Sequence, residues 1–160
     1  MANTTFSGPV RSENGFSDIT KNTTTGAVTS TMTLQTYEAT ITVDNGATTG
    51  KEAAIAIPAN FIPMGVTVAV TTAATNAVNL VDIGTDADTD GYVDGISAAV
   101  NSVGFKGFFG CNGVLGMSGY TTAASGATPD EVELVVSGDP GSATVLVLKF
   151  FGISSSSDAS

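Results

Sequence analysis

The pattern that most constrains this chain is a short alternation of apolar and polar residues, repeated along the sequence and broken by turn residues. Residues 37–43 read Tyr-Glu-Ala-Thr-Ile-Thr-Val, and Val66, Val68 and Val70 take alternate positions in a later run. Successive side chains of a strand point to opposite faces, so period-two runs rich in Val, Ile and Thr indicate strands. The chain is therefore predicted to be rich in β-structure, with one face of each strand in a core.

The runs and their breaks predict an all-β fold. The main candidate strands are residues 37–43, 52–57, 63–70, 78–83, 131–136 and 144–151. Strands at a spacing of about ten residues, without long helical patterns, are typical of a β-sandwich or jelly roll. The last two runs are the best candidates for an antiparallel pair, because an Asp-Pro-Gly turn at 139–141 separates them. Residues 92–103 fit either one or two helical turns or another strand.

The chain divides into three regions by composition. Residues 1–33 are rich in Thr, Asn, Ser and Gly, and we predict an extended N-terminal arm there; the alternative is a disordered terminus. Residues 34–153 are predicted to form a single β-sandwich domain. Residues 154–160 contain no large apolar side chain and are predicted to be a flexible tail.

Glycine recurs at every third position from 104 to 119, around three phenylalanines at 105, 108 and 109. Proline is absent from this stretch, so the repeat is not collagen-like. Glycines of this kind permit close backbone packing or tight turns. We expect them to serve that purpose beside the phenylalanines.

Few residues of this chain are suited to catalysis. Its 160 residues include no histidine and a single cysteine, Cys111. General acid–base, nucleophilic and transition-metal chemistry depend heavily on those residue types. Glu131 and Glu133 are two apart on a strand and alternate with apolar residues, which is typical of a solvent face, and Ser118 has no histidine to activate it. The sequence predicts that the protein is not an enzyme and that Cys111 is a small, partly buried apolar residue.

The acidic charge balance of this chain argues against some classes of binding partner. The chain has 15 acidic and 5 basic residues, for a net charge of −10. Nucleic acids and anionic membranes are bound mainly through Lys and Arg, so neither is an expected partner. No apolar run approaches ~18 residues, and the N-terminus lacks a basic start and an apolar segment, so we expect neither a membrane span nor a signal peptide. The protein is expected to stay in the cell that makes it, or to leave by lysis or assembly.

Only 12% of the residues are charged, against about 25% in an average protein. A surface with so few charges suits burial against other subunits, so we predict a homo-oligomer, with a trimer favoured over a dimer. The acidic excess is consistent with solubility, and equally with a saline habitat or a basic docking surface on a partner.

One acidic stretch resembles part of a calcium loop. Asp86, Asp88 and Asp90 alternate and are followed by Gly91, and Asp94 lies four residues beyond Asp90. Alternate oxygen ligands with glycine at the sixth position match the first half of such a loop. The twelfth position is Ser97 rather than glutamate, which argues against an EF-hand. The alternatives are an irregular Ca²⁺ site formed by the four aspartates and a solvated loop with Asx turns. No other cofactor is predicted.

Three tyrosines, Tyr37, Tyr92 and Tyr120, are candidates for a carbohydrate-stacking surface. Such surfaces usually draw on more aromatic residues, and this chain has no tryptophan. The alternative is that they lie at the rim of the core or of a subunit contact.

Two stretches resemble a known class of proteins. Residues 5–16, Thr-Phe-Ser-Gly-Pro-Val-Arg-Ser-Glu-Asn-Gly-Phe, resemble the N-termini of small virion structural proteins from tailed phages of marine bacteria, cyanophages among them. Residues 55–68 with residues 81–90 are similar to β-sandwich modules of phage decoration proteins and head fibres. Together they cover about a quarter of the chain, and none contains a catalytic signature.

The resemblance implies a virion surface protein without enzymatic activity, most simply a capsid decoration (cement) protein that binds the major capsid protein on the outer capsid lattice. It would be made in the host cytoplasm and located on the virion. The arm would then contact the capsid, through Phe6, Pro9, Val10, Arg11, Phe16 and Ile19. The alternative is a head-fibre, tail-fibre or adhesin module that binds a host receptor or glycan with the help of Ca²⁺.

Overall fold

A computed structural model of the protein describes residues 17–57, 61–113 and 130–156. None of these residues is helical, so within these ranges no helix is long and apolar enough to cross a membrane. The described residues form ten strands, namely β1 (Ser17–Lys21), β2 (Val28–Val43), β3 (Thr49–Ile57), β4 (Phe61–Thr72), β5 (Asn79–Thr85), β6 (Asp88–Val93), β7 (Ala98–Ala99), β8 (Gly104–Gly110), β9 (Asp130–Val136) and β10 (Thr144–Ser156).

The strands form two antiparallel sheets that pack together as a β-sandwich. Sheet A has the order β1-β2-β10-β4-β8, and sheet B has the order β3-β9-β5-β6, with β7 paired to β5. Without β1 and β7, consecutive strands lie in opposite sheets except for the hairpin β5–β6, and the last strand, β10, pairs with the first, β2. This order is that of an eight-stranded jelly roll. The predicted all-β sandwich fold is confirmed.

The core lies between the sheets and follows from the period-two pattern. On β10, Leu146, Leu148 and Phe150 are fully buried, and on β4, Val66 and Val68 are fully buried. The residues between them on each strand are more exposed. Each central strand therefore contributes alternate side chains to one shared apolar layer, which is the main stabilising feature of a sandwich.

The predicted pairing of residues 131–136 with residues 144–151 is wrong. β9 pairs with β3 and β5 in sheet B, whereas β10 pairs with β2 and β4 in sheet A. The turn at 139–141 therefore carries the chain from one sheet to the other. Alternation shows which face of a strand is buried, and it says nothing about which strand lies alongside.

The segment that periodicity left undecided contains no helix. β6 ends at Val93, and the two-residue strand β7 follows and pairs with β5. Between them, Ile96 is buried and its N–H donates to the carbonyl of Val81 at 2.6 Å. Residues 96–100 are therefore held by backbone hydrogen bonds against β5 and the residue before it.

The two ends of the predicted domain continue into strands. The predicted boundary at residue 33 falls inside β2, which pairs with β1 on one side and β10 on the other. β10 continues to Ser156, so residues 154–156 are part of sheet A, where the sequence predicted a tail. Residues 1–16 and 157–160 lie outside the described residues.

Glycines permit close backbone contacts where β8 ends. The N–H groups of Asn112 and Gly113 both donate to the carbonyl of Tyr92 at 3.1 Å. A side chain at Gly113 would overlap the backbone of Asp90, so glycine is required at that position. This agrees with the expected role of the glycine repeat. Its members at 116 and 119 lie outside the described residues.

Asp139 joins two turns at one end of the sandwich. Its carboxylate oxygen Oδ1 accepts hydrogen bonds of 2.8 Å from the N–H of Gly141 in its own turn and from the N–H of Gly46 in the turn between β2 and β3. These bonds, first that of Gly141 and then that of Gly46, lower the pKa of Asp139. Both glycines have positive φ, a conformation that other residues rarely adopt.

Candidate functional site

The acidic stretch forms a tight hairpin between β5 and β6. Thr85 pairs with Asp88, so Asp86 and Ala87 occupy the turn between them. The N–H of Asp88 donates to Thr85 Oγ1 at 3.2 Å. The turn is therefore stabilised by its own side chains, as expected for a polar loop between two strands.

The carboxylate of Asp86 is paired with a lysine. Lys51 Nζ on β3 lies 3.1 Å from Asp86 Oδ1, and both side chains are about half exposed or more. The hydrogen bond and the positive charge of Lys51 lower the pKa of Asp86. Because the pair is exposed to solvent, it contributes little to stability.

The other aspartates of the predicted cation site have different partners. The side chains of Asp88 and Asp90 share a hydrogen bond, which together with some burial and their mutual repulsion raises the pKa of Asp88. Asp94 is linked through its backbone to Asn112, whose amide accepts from its N–H at 2.9 Å and donates to its carbonyl at 3.1 Å. Within the described ranges no three His, Cys, Asp or Glu side chains are arranged to hold a metal. The geometry therefore gives the Ca²⁺ prediction no support.

The prediction that Glu133 lies on a solvent-exposed face of β9 is wrong. This side chain is only 8% exposed, although it points away from the core between Val132 and Leu134. It lies within hydrogen-bonding reach of Asp86, and Lys51 is its cross-strand neighbour. The neighbouring strands cover the Glu133 side chain. The alternation pattern of β9 alone does not show this. Glu133, Asp86 and Lys51 thus form a polar cluster on the outer side of sheet B.

Cys111 is half-buried, as the sequence predicted. Burial raises the pKa of its thiol to about 12. Since the thiolate is the nucleophilic form, a thiol that stays protonated at neutral pH is poorly suited to covalent chemistry.

The described tyrosines are packed against the core. Tyr92 is 2% exposed and meets Phe150 edge-on, with ring centroids 5.4 Å apart. Tyr37 meets Phe61 in the same manner at 4.8 Å, and its hydroxyl donates to Gln35. Tyr120 lies outside the described residues. Tyr37 and Tyr92 therefore do not form an exposed stacking surface, and of the two interpretations the one that places them with the core fits.

Among the described residues, several exposed apolar side chains lie on the side of sheet A that faces away from sheet B. We call it the outer face and define it as the outward-pointing residues of β2, β10, β4 and β8. Leu34, Ile153 and Ile62 are neighbours in one row across the first three of these strands. Leu34 is 50% exposed, and the other two are partly exposed.

Aromatic rings extend the outer face towards β8. Phe108 stacks on Phe151 with ring centroids 5.1 Å apart, and its ring lies over Gly65, where any side chain would overlap it. Phe105, further along β8, is 69% exposed. β8 is the edge strand of sheet A, so one edge of its backbone is unpaired within the sheet. An exposed apolar patch of this kind commonly marks a protein interaction site.

Charge is distributed unequally between the two sheets. The strands β2, β4, β8 and β10 contain three charged residues, Glu38, Lys106 and Lys149. Lys149 Nζ lies 3.0 Å from Glu38 Oε2, so these two neutralise each other on the outer face. The strands β3, β5, β6 and β9 contain seven acidic residues and one lysine. The outer face is therefore nearly neutral on a protein whose net charge is −10.

The outer face was not identified from the sequence, although a signal for it was present. Both the inward and the outward positions of β10 are apolar, with Val145, Val147, Phe151 and Ile153 pointing outward. A strand that is apolar on both faces is typical of a sheet that is covered on both sides. Of the predicted arm contacts, Ile19 is 47% exposed on β1, while Phe6, Pro9, Val10, Arg11 and Phe16 lie outside the described residues.

No protein-family model matches this chain, and no curated protein matches it either.

Proposed function

We propose that this chain is a non-enzymatic structural protein of a phage virion, a capsid decoration protein that binds the major capsid protein on the outer surface of the lattice and stabilises it. The observation that carries the proposal is the strand order, β2-β10-β4-β8 facing β3-β9-β5-β6. The jelly roll is a recurrent architecture of viral capsid proteins. A fold alone does not define a function, so the surfaces also enter the argument.

The edge of sheet A at β1 supplies a means of attachment. β1 is five residues long, and among the strands that the structure describes it pairs with β2 alone. An unpaired strand edge can add a strand from a partner, and the backbone hydrogen bonds then provide affinity with little dependence on sequence. Ile19 adds an exposed apolar side chain there. Residues 1–16 precede β1 directly, so the arm and this edge would act as one contact.

Weak contacts of this kind suffice on a capsid. Each apolar contact contributes roughly 25 cal/mol per Å² buried. A lattice presents many identical sites, and a protein that engages more than one of them gains avidity without a single tight site. The acidic strands of sheet B would face solvent, which suits a virion exterior.

The same strand order favours a second candidate, because lectin domains also use the jelly roll. In that case the chain would be a head-fibre, tail-fibre or adhesin module that binds a host receptor or glycan. Two features count against it. Tyr37 and Tyr92 pack with the core, and the aspartates at 86–94 are not arranged around a cation.

The direct test is co-sedimentation of the full chain with expanded empty capsids of the phage that encodes it. We expect saturable binding at a fixed ratio to the major capsid protein. Deleting residues 2–21 removes β1 but leaves β2 and its pairing with β10, so this variant should stay folded and lose most binding. Ile19→Glu should weaken binding at least about tenfold, whereas the matched control Ile19→Val should not.

Absence of saturable capsid binding would refute the decoration proposal. Binding to host cells or immobilised glycans that disappears with a chelator would then favour the second candidate. Capsid binding that survives the deletion would keep the decoration function but refute the role of the arm and β1.

A further inference from the structure

We infer that the outer face of sheet A is the surface through which copies of this chain associate with one another. This inference does not depend on capsid binding. It follows from three properties of the face: its apolar character, its charge and its size.

The apolar character is unusual for a surface that faces water. Phe105 and Phe108 are more than half exposed, and Leu34 is half exposed, all on the same side of one sheet. The partly exposed Phe151 and Ile153 connect them across the sheet. Single exposed apolar residues are common on monomers, but a continuous patch is rare.

The charge distribution makes this face the one through which a second copy can approach with the least repulsion. Two molecules of net charge −10 repel each other, and contact through sheet B would place its acidic residues opposite one another. The four strands of the outer face contain one acidic and two basic residues, a net charge of +1. Contact through this face brings apolar area together and leaves the acidic groups of both copies in solvent, where repulsion is screened.

The size of the face is near the lower limit for a stable interface. Four strands about 4.8 Å apart, with rows from residue 34 to residue 42 at about 3.4 Å per residue, give a footprint of roughly 500 Å². Stable interfaces bury at least ~600 Å² per partner. The corrugation of side chains and the exposed edge of β8 raise the accessible area of the face above its footprint. Reversible association in the micromolar range is the expected strength.

The test compares two double variants of the full chain, each with two added acidic groups. Thr40→Glu/Phe105→Glu places glutamates at the two ends of one row of the outer face; both positions are exposed, so the fold should tolerate them. Ile19→Glu/Thr75→Glu makes the same two replacements at exposed positions outside the face. Mass is measured by sedimentation equilibrium without capsids, at about 50 µM protein.

We expect the wild type and the Ile19→Glu/Thr75→Glu control to form the same oligomer, and the Thr40→Glu/Phe105→Glu variant to be a folded monomer by circular dichroism. A monomeric wild type would overturn the inference, as would an outer-face variant of unchanged mass. A monomeric wild type whose outer-face variant also fails to bind capsids would assign this face to the capsid instead.

A second measurement covers the case in which the double variant does not fold. Thr40→Cys is a conservative change on the outer face, and the half-buried Cys111 with its raised pKa should react slowly. We expect the rate of Thr40→Cys modification to fall at least tenfold as protein concentration rises through the micromolar range. A rate independent of concentration would overturn the inference.

Discussion

Replacing Leu148 with alanine tests the register on which the assignment of the outer face depends. Leu148 is completely buried, and its cross-strand neighbours Ala39 and Val68 are also buried. Removing about three methyl or methylene groups costs about 2.4 kcal/mol of transfer free energy. The two packed sheets cannot collapse fully into the space, so the total loss should be about 3–4 kcal/mol. For a domain of this size the midpoint of thermal unfolding should fall by about 10 °C.

The matched control is Val147→Ala, one residue earlier on β10 and on its outward side. Val147 is partly exposed, so we expect a loss below about 1 kcal/mol. Both changes are measured by thermal and urea unfolding at a protein concentration well below the micromolar range, so that association does not contribute. If Val147→Ala cost as much as Leu148→Ala, β10 would be shifted by one residue, and the faces of sheet A would be exchanged.

Three further predictions follow from single contacts. Asp139→Ala should destabilise the protein at neutral pH, and the difference should shrink below about pH 4, because a carboxylate with a lowered folded-state pKa loses its contribution as pH falls through that pKa; a pH-independent difference in urea unfolding would contradict this. Gly65→Ala should cost about 1 kcal/mol or less, because the half-exposed Phe108 ring can move aside, and Phe108→Ala in the same chain should recover part of it; strict additivity of the two changes would refute the contact. Cys111 should react with a thiol reagent at pH 8 at least about tenfold more slowly in the folded than in the urea-unfolded protein, and equal rates would show that it is not buried.

The fold class could be predicted because it depends on a local property. Alternation in residues 37–43 and at Val66, Val68 and Val70 predicts which side of each strand is buried. The side chains on the predicted side are buried or packed against the core in the structure. The turn residues at 139–141 were also readable, because positive φ and Asx contacts are local requirements. The antiparallel pairing of β9 with β10 was wrong for a complementary reason. Strand neighbours are selected by packing across the whole sandwich, which local patterns do not contain.

The candidate sites also depend on contacts between strands that a local sequence pattern does not contain. The spacing of Asp86, Asp88 and Asp90 suggested a cation loop, but Lys51, 35 residues away in sequence, pairs with Asp86. Glu133 looked solvent-exposed on its own strand and is covered by neighbouring strands. In both cases a residue on another strand contributes to the surroundings of the carboxylate. A motif read along the chain cannot include a partner that only strand order brings close.

The amino-acid sequence alone accounts for the alternating strands, the glycine and Asx turns, the strong acidic excess and the small number of residues suited to catalysis. The distribution of acidic and apolar residues over the two sheets follows only from the tertiary structure. It placed seven acidic residues on the strands of sheet B, and it assembled Leu34, Phe105, Phe108, Phe151 and Ile153 from three separate strands into one face of sheet A. Composition can be counted along the chain, but a surface is formed by residues that are distant in sequence. The separation of charge between the sheets and the outer face therefore arise only when the strand order is set.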